Sequence, residues 1–151
     1  MKKKNLFFMP SFEGEGVEKN LILVANFFAK KQIELKLITV SKKYKKNFNN
    51  KVSFIYPNSH IWDKFGRIPK YLISLYLLFL EYLKDKNFIV FCFQGNIFCI
   101  LFCKFFKIKI VIRPNSSPTG WSNNIIKKKI SQKFLVLQIK LLLIVMILKK
   151  N

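Results

Sequence analysis

The side chains in this sequence that could do chemistry gather in three short polar segments, each directly behind an apolar run. The first is FEGEGVE, Phe12 to Glu18, which holds three of the chain's seven acidic residues. Gly14 and Gly16 would let the backbone approach a ligand closely, and a helix starting behind them would offer free N–H groups to an anion. Glu13 and Glu15 could accept hydrogen bonds from sugar hydroxyls or, with Glu18, cap the helix at the positive end of its dipole. The spacing is not the dinucleotide-binding GxGxxG, because the third glycine is missing and Glu18 stands in that region; a Walker lysine pattern is also missing. On its own a Gly-x-Gly is a structural turn more readily than a ligand loop. The second segment, Gln94-Gly95-Asn96, carries two amides that bond hydroxyls without charge, or is a plain turn. The third, RPNSSPTGW, sets Arg113 at the end of an apolar run and follows it with Asn115, Ser116, Ser117, Thr119 and a stacking plane in Trp121. A segment of that kind is a binding loop or a surface loop.

Nucleophilic and metal chemistry find less support. No Ser/His/Asp or Cys/His arrangement can be built, and His60, alone in PNSHIWD, reads as an incidental surface histidine. Cys92, Cys99 and Cys103 fall in one apolar stretch with no CxxC pair. That suits neither a disulfide framework nor a zinc site, so they are expected as small buried hydrophobes in a reduced compartment. Neither a metal nor a cofactor is expected.

The elements that must position these segments follow from periodicity. Lys4 to Met9 is an apolar run suited to a first buried strand. Behind it, Gly16 to Lys31 has Val17, Leu21, Val24, Ala25 and Phe28 at helical spacing, with Glu18 at its start and Lys30 and Lys31 at its end. IELKLITV, from Ile33 to Val40, predicts a second strand, KKYKKNFNNK a solvated basic loop, and VSFIYP a third strand stopped by Pro57. Ile68 to Lys86 predicts a helix with a proline in its first turn. Its interior is apolar nearly all round but meets Glu81 after about 13 residues, short of the roughly 20 a bilayer span needs. It is therefore expected to be buried or to lie on a membrane. NFIVFCF predicts a fourth strand, IFCILFCKFF a helix with Cys99 and Cys103 on one face, and IKIVIR a fifth strand. Strands and helices alternating across short loops predict an α/β fold, a Rossmann-like, doubly wound and mostly parallel sheet. In such a sheet the three polar segments sit at the carboxyl ends of strands, where ligands bind.

Composition bounds the partners. Hydrophobic residues make up 51% of the chain, which excludes intrinsic disorder. The net charge of +21 favours anionic partners such as phosphorylated substrates or an anionic membrane surface. Because nearly all the cations are Lys, in a chain dominated by Lys, Asn, Ile and Phe, an A- and T-rich coding sequence would produce the same bias. Only Arg67 and Arg113 could make the bidentate base contacts typical of nucleic-acid readers, so no nucleic-acid partner is expected. The opening MKKKNLFFMP is too short in apolar residues for a signal peptide, which points to a cytoplasmic location.

Two of these segments also carry a resemblance. EGEGVEKNLILVANFFAKKQIELKLITV resembles the opening of bacterial glycosyltransferases of family 4, in which a glycine-rich loop, often followed by Val-Glu and a helix carrying Leu-Ala-Asn, leads to a second strand. VIRPNSSPTGW is similar to that family's segment after the fifth strand. The resemblance covers Met1 to about Ile130. It implies one half of a GT-B fold, in which two Rossmann-like halves face each other across a cleft. The amino-terminal half mainly holds the acceptor, while the carboxyl-terminal half grips the nucleotide sugar and carries a paired-glutamate motif. By position Gly14 and Gly16 match the glycine loop, and Arg113, Asn115 and Ser116 match the acceptor-side loop. Glu15 departs from the pattern, since a glycine or small residue is commoner there and a carboxylate repels a pyrophosphate. Together with the loop reading, this gives Glu13, Gly14, Glu15, Gly16, Gln94, Asn96, Arg113, Asn115 and Ser116 as expected substrate-binding residues, with no catalytic residue assigned. The partners implied are a nucleotide-sugar donor and a sugar or lipid-linked acceptor in surface polysaccharide or lipopolysaccharide synthesis, with peripheral attachment to the inner membrane face. Without the nucleotide-sugar half the chain alone is expected to be inactive.

The ending departs from the family altogether. Ser131 to Asn151, SQKFLVLQIKLLLIVMILKKN, has no polar face, and no acidic residue follows Asp85. With A- and T-rich codons, a one-nucleotide shift can turn it into SKIFSFANKIIINSNDFKK, whose helix end, strand and helix start suit the family. The domain is therefore expected over residues 1–130, followed by an apolar tail, 131–151, of frameshifted origin; a peripheral membrane anchor is the competing reading. Two further functions stay open: a non-catalytic binding domain or subunit, and a basic peripheral membrane protein of no enzymatic kind.

Overall fold

The computed structural model describes residues 4–12 and 16–113, which belong to one compact unit ending at Arg113. Five strands form a single all-parallel sheet: β1 (Lys4–Phe8), β2 (Leu35–Ile38), β3 (Ser53–Ile55), β4 (Phe88–Cys92) and β5 (Lys109–Ile112), in the order β3-β2-β1-β4-β5. Helices α1 (Gly16–Lys30), α2 (Arg67–Lys84) and α3 (Asn96–Phe105) connect them, with short 3₁₀ turns at Lys45–Asn47 and His60–Lys64. The expected strand and helix order is thus present, as a Rossmann-like doubly wound sheet.

Period-two burial decides which helix covers which face. Leu6, Phe8, Ile38, Val90 and Cys92 point one way and pack with Leu77 and Leu78 of α2 and Cys99 and Cys103 of α3. Phe7, Met9, Leu35, Leu37 and Phe93 point the other way and pack with Leu21, Ala25 and Ala29 of α1. From β1 the chain steps one way along the sheet through α1 and the other way through α2 and α3. Right-handed crossovers then require the helices to lie on opposite faces. Each central strand is covered on both sides, so Leu6–Phe8 of β1 is an unbroken apolar run and β2 is apolar at every position but Lys36. Full burial of a side chain such as Phe7, Leu37 or Leu78 stabilises the fold by about 1.5–3 kcal/mol.

One polar residue on a covered strand needs a partner. Lys36 of β2 is in register with Leu6 and so faces α2, where its Nζ donates to Glu81 at 2.7 Å. Lys84, one turn on, donates to the other Glu81 oxygen at 2.7 Å. Burial pushes the Glu81 carboxyl up, but the hydrogen bonds and charges of the two lysines outweigh it and hold its pKa below the ordinary carboxylate value.

Helices α1 and α3 both end in the same way. Gln32 and Lys107 adopt a left-handed φ of 55°. The N–H groups of Ile33 and Gln32 return to the carbonyls of Phe28 and Ala29, and those of Ile108 and Lys107 to Cys103 and Lys104. These are Schellman caps in which Gln and Lys occupy the position that usually takes glycine.

Three expectations change in detail. The second strand is four residues rather than the whole of Ile33–Val40, because Ile33 belongs to the α1 cap. The basic loop after β2 is not simply solvated. Asn26 of α1 holds it from both sides, donating to the Asn47 carbonyl at 3.0 Å and accepting from the Asn49 N–H at 2.7 Å, and Phe48 is buried in the core. Helix α2 is buried along one stripe only, Ser74, Leu77, Leu78 and Glu81. The three cysteines are free thiols and buried as expected.

Candidate functional site

In a sheet of order 3-2-1-4-5 the direction in which successive parallel strands are added reverses between β1 and β4, and the crevice beyond the carboxyl ends of those two strands is where such folds take ligands. Hydrogen bonds carry the ladder past the strands and set the heights of their tips. Phe93 donates to the Phe8 carbonyl at 3.0 Å, Val40 to Pro10 at 3.1 Å, and Arg113 to Cys92 at 3.0 Å. Ser11, Gln94 and Arg113 therefore stand on three neighbouring tips, about 5 Å apart per strand.

A clasp closes the switch point. The Ser11 backbone N–H and hydroxyl both donate to the Gln94 side-chain oxygen, at 3.0 and 2.9 Å, across 83 residues of sequence. Ser11 is 1% exposed, so both donors are shielded from water. A backbone N–H can only donate, so the Gln94 oxygen must face Ser11 and the amide N–H groups must point elsewhere. Behind the clasp the Cys92 thiol donates to the Gln94 carbonyl at 3.3 Å.

Gly95 follows with φ 71° as the residue before α3, and a Cβ there would meet the Tyr71 ring at 3.4 Å. The left-handed backbone favours glycine here, while the ring would accept a Cβ at ordinary contact distance. Helix α3 starts here with its first N–H groups facing the crevice end of the sheet, and α1 starts opposite it at Gly16. A Cβ on Gly16 would meet nothing within 4 Å, so this glycine is not demanded by protein packing. The Gly16 carbonyl accepts from Asn20 at 2.8 Å, and Glu18, in the first helical turn, is buried.

On the far side of β1 the loop after β2 adds cations. The Phe12 ring lies 5.2 Å from Tyr44 and 6.3 Å from Phe48, which ties that loop to the β1 tip. Lys43 sits over Tyr44 at 5.4 Å, and Lys42 over Tyr56, the residue beyond β3, at 5.2 Å. Burial pushes the Tyr56 hydroxyl's pKa up. A groove of about 590 Å³ runs beside this loop, lined by Lys42, Lys43, Lys45, Lys46, Phe48 and Phe54 among others.

The expected site residues are thus only partly placed. Gly16, Gln94 and Arg113 lie at the carboxyl edge of one sheet, and Asn96 is the first residue of α3. Glu13, Gly14, Glu15, Asn115, Ser116 and the tail from Ser131 lie outside the described residues. Sequence reasoning missed Ser11; MPSF gives a local signal for a turn but none for a contact with Gln94. Among the described residues no three His, Cys, Asp or Glu side chains gather where they could hold a metal ion. The edge offers the Gln94 amide, helix N-termini, an arginine and lysines, a set suited to hydroxyl and phosphate groups. Compared with known proteins, the chain matches no protein-family model and no curated protein.

Proposed function

We propose that this domain is the amino-terminal, acceptor-holding lobe of a retaining glycosyltransferase that builds surface polysaccharide or lipopolysaccharide. The observation that carries the reading is the row Ser11–Gln94–Arg113 at the switch point, in a chain whose first and third loops resemble the corresponding loops of family 4. In this reading the Gln94 amide donors bond an acceptor hydroxyl, with Ser11 fixing their direction. Arg113 and the N-termini of α1 and α3 supply fixed positive charge where a leaving nucleoside diphosphate gathers negative charge. Gly16 leaves room for the donor. The second lobe of such an enzyme would grip the nucleotide, and the acceptor would be sugar or lipid-linked, delivered at the inner membrane face.

Acceptor binding is the property this lobe should show by itself. Saturation-transfer NMR of the full chain with a panel of bacterial oligosaccharides should reveal at least one binder. Gln94→Glu, which keeps the acceptor for Ser11 but removes the amide donors, should abolish the transfer without unfolding the protein, as should Arg113→Ala. Wild-type binding by Gln94→Glu would overturn the assignment of that amide, and absence of any oligosaccharide binder would overturn the acceptor-lobe reading.

A further inference from the structure

Helices that cover a sheet normally turn a polar side to water; α2 and α3 do not. On α2 the buried Ser74, Leu77, Leu78 and Glu81 fix the inward direction. At about 100° per residue, Ile68, Leu72, Tyr76 and Leu83 fall on the opposite side, and they are 62, 58, 55 and 60% exposed. On α3, Cys99 and Cys103 point inward, while Ile97, Leu101 and Phe105 point out and are 57, 57 and 80% exposed. The two helices pack on the same sheet face and touch through Tyr71–Phe98 and Tyr82–Phe106, with ring centroids 5.7 and 4.8 Å apart. Their outward sides therefore form one apolar surface of a kind that soluble monomers rarely leave uncovered.

The charges around it identify what covers it. Exposed Arg67, Lys84 and Lys104 lie on the two helices, and exposed Lys86 and Lys107 just beyond them, against two acids at the ends of α2, exposed Asp63 before it and Asp85, paired with Lys4, at its cap. The one carboxylate within either helix, Glu81, is buried and paired with lysines. A second copy of the chain, itself at +21, would set lysine against lysine. Nucleic acid would match the charge but leave the aliphatic surface unmatched. An anionic lipid surface matches both: apolar side chains enter the headgroup boundary while lysine stems run along it and their ammonium groups meet lipid phosphates. Among the described residues no helix is long and apolar enough to cross a membrane, so contact here means lying on the surface.

We infer that the outward face of α2 and α3 docks the protein on an anionic bilayer, with α2 and α3 lying in the plane of the interface. This deepens the membrane attachment named above but rests on the exposed face and its charges, so it stands or fails apart from the strand-tip site. That site lies at an edge of the sheet, and docking through a face leaves the edge open beside the headgroups.

The test uses the full chain and vesicles of phosphatidylcholine with or without phosphatidylglycerol. Co-sedimentation with the anionic vesicles is expected, weakened by about tenfold or more in Leu72→Glu/Leu101→Glu, while oligosaccharide binding stays unchanged. Leu72→Gln/Leu101→Gln serves if the charged pair fails to fold, and should weaken binding in the same direction. Nitroxide labels on a cysteine placed at Leu101 or, as control, at Leu23 on the α1 side report depth. The label at 101 should be shielded from aqueous quencher and the label at 23 should not. Undiminished binding by the glutamine pair, equal binding to neutral vesicles, a buried label at 23 with an open one at 101, or self-association that the same substitutions abolish would each overturn the inference.

Discussion

Replacing Gln94 separates the structural work of the switch-point clasp from its chemical work. Gln94→Leu fills similar volume but removes the oxygen that both Ser11 donors share, at 3.0 and 2.9 Å. Each such bond contributes about 1 kcal/mol net, so the change should cost about 2 kcal/mol. For a domain of this size, roughly 4 °C per kcal/mol gives a fall in Tm of about 8 °C. Ser11→Ala removes only the hydroxyl bond and should cost about 1 kcal/mol. In a double-mutant cycle the two changes should couple by about 1 kcal/mol, since they delete one shared contact. Gln94→Glu keeps an acceptor for both donors and should hold its stability to within about 0.5 kcal/mol at neutral pH. Thermal melts followed by circular dichroism, with urea titrations for the free energies, measure all four proteins. A Gln94→Leu protein as stable as wild type would mean that the clasp holds nothing in place.

Three further outcomes follow from the same structure. The depressed pKa of Glu81 contributes stability that is present above its unfolded value, about 4.3, and lost as pH falls through the folded one. Glu81→Gln should therefore cost about 1–2 kcal/mol at pH 7, reduced by the partial exposure of both lysines, and flatten the acid limb of a stability-against-pH curve. Gln32→Gly relieves the left-handed φ in the α1 cap and should raise stability by about 0.5–1 kcal/mol in urea melts. The Cys99 hydrogen bond, then burial, push the Cys103 thiol far above its ordinary range, and Cys99 also titrates well above it. A thiol reagent at pH 8 should leave these two untouched in the native state and label them on unfolding, with labelling rates that track global opening.

Much of the fold was legible because burial leaves a period behind. The β1 run is apolar on both faces, β2 is apolar but for Lys36, and α1 repeats at helical spacing, so type and order could be read locally. What could not be read depends on residues far apart in sequence. Lys36 sits mid-strand and Glu81 mid-helix, and neither announces the other. Phe48 looked like one aromatic in a lysine loop, yet Asn26 draws that loop onto α1 and buries the ring. The ends of α1 and α3 carried no glycine signal because Gln32 and Lys107 take the strained position themselves. Helix α2, apolar nearly all round, left burial and a membrane surface both open; on the sheet it hides one stripe, Ser74, Leu77, Leu78 and Glu81, and Ile68, Leu72, Tyr76 and Leu83 face outward. At the candidate site the sequence pointed to Gly16, Gln94 and Arg113 through their loops. It was silent on Ser11, whose only mark of function is where the β1 tip meets the β4 tip.

On the proposed function, the carboxyl edge between β1, β4 and β5 receives a carbohydrate. Amide-resolved NMR of the full chain, titrated with the oligosaccharide that binds and then with nucleotide sugars, tests it most directly. The shifts should concentrate at Ser11, Gly16, Gln94, Gly95 and Arg113. Unmoved signals there, with the changes confined to the Lys42–Lys46 loop or to the outer face of α2 and α3, would contradict it.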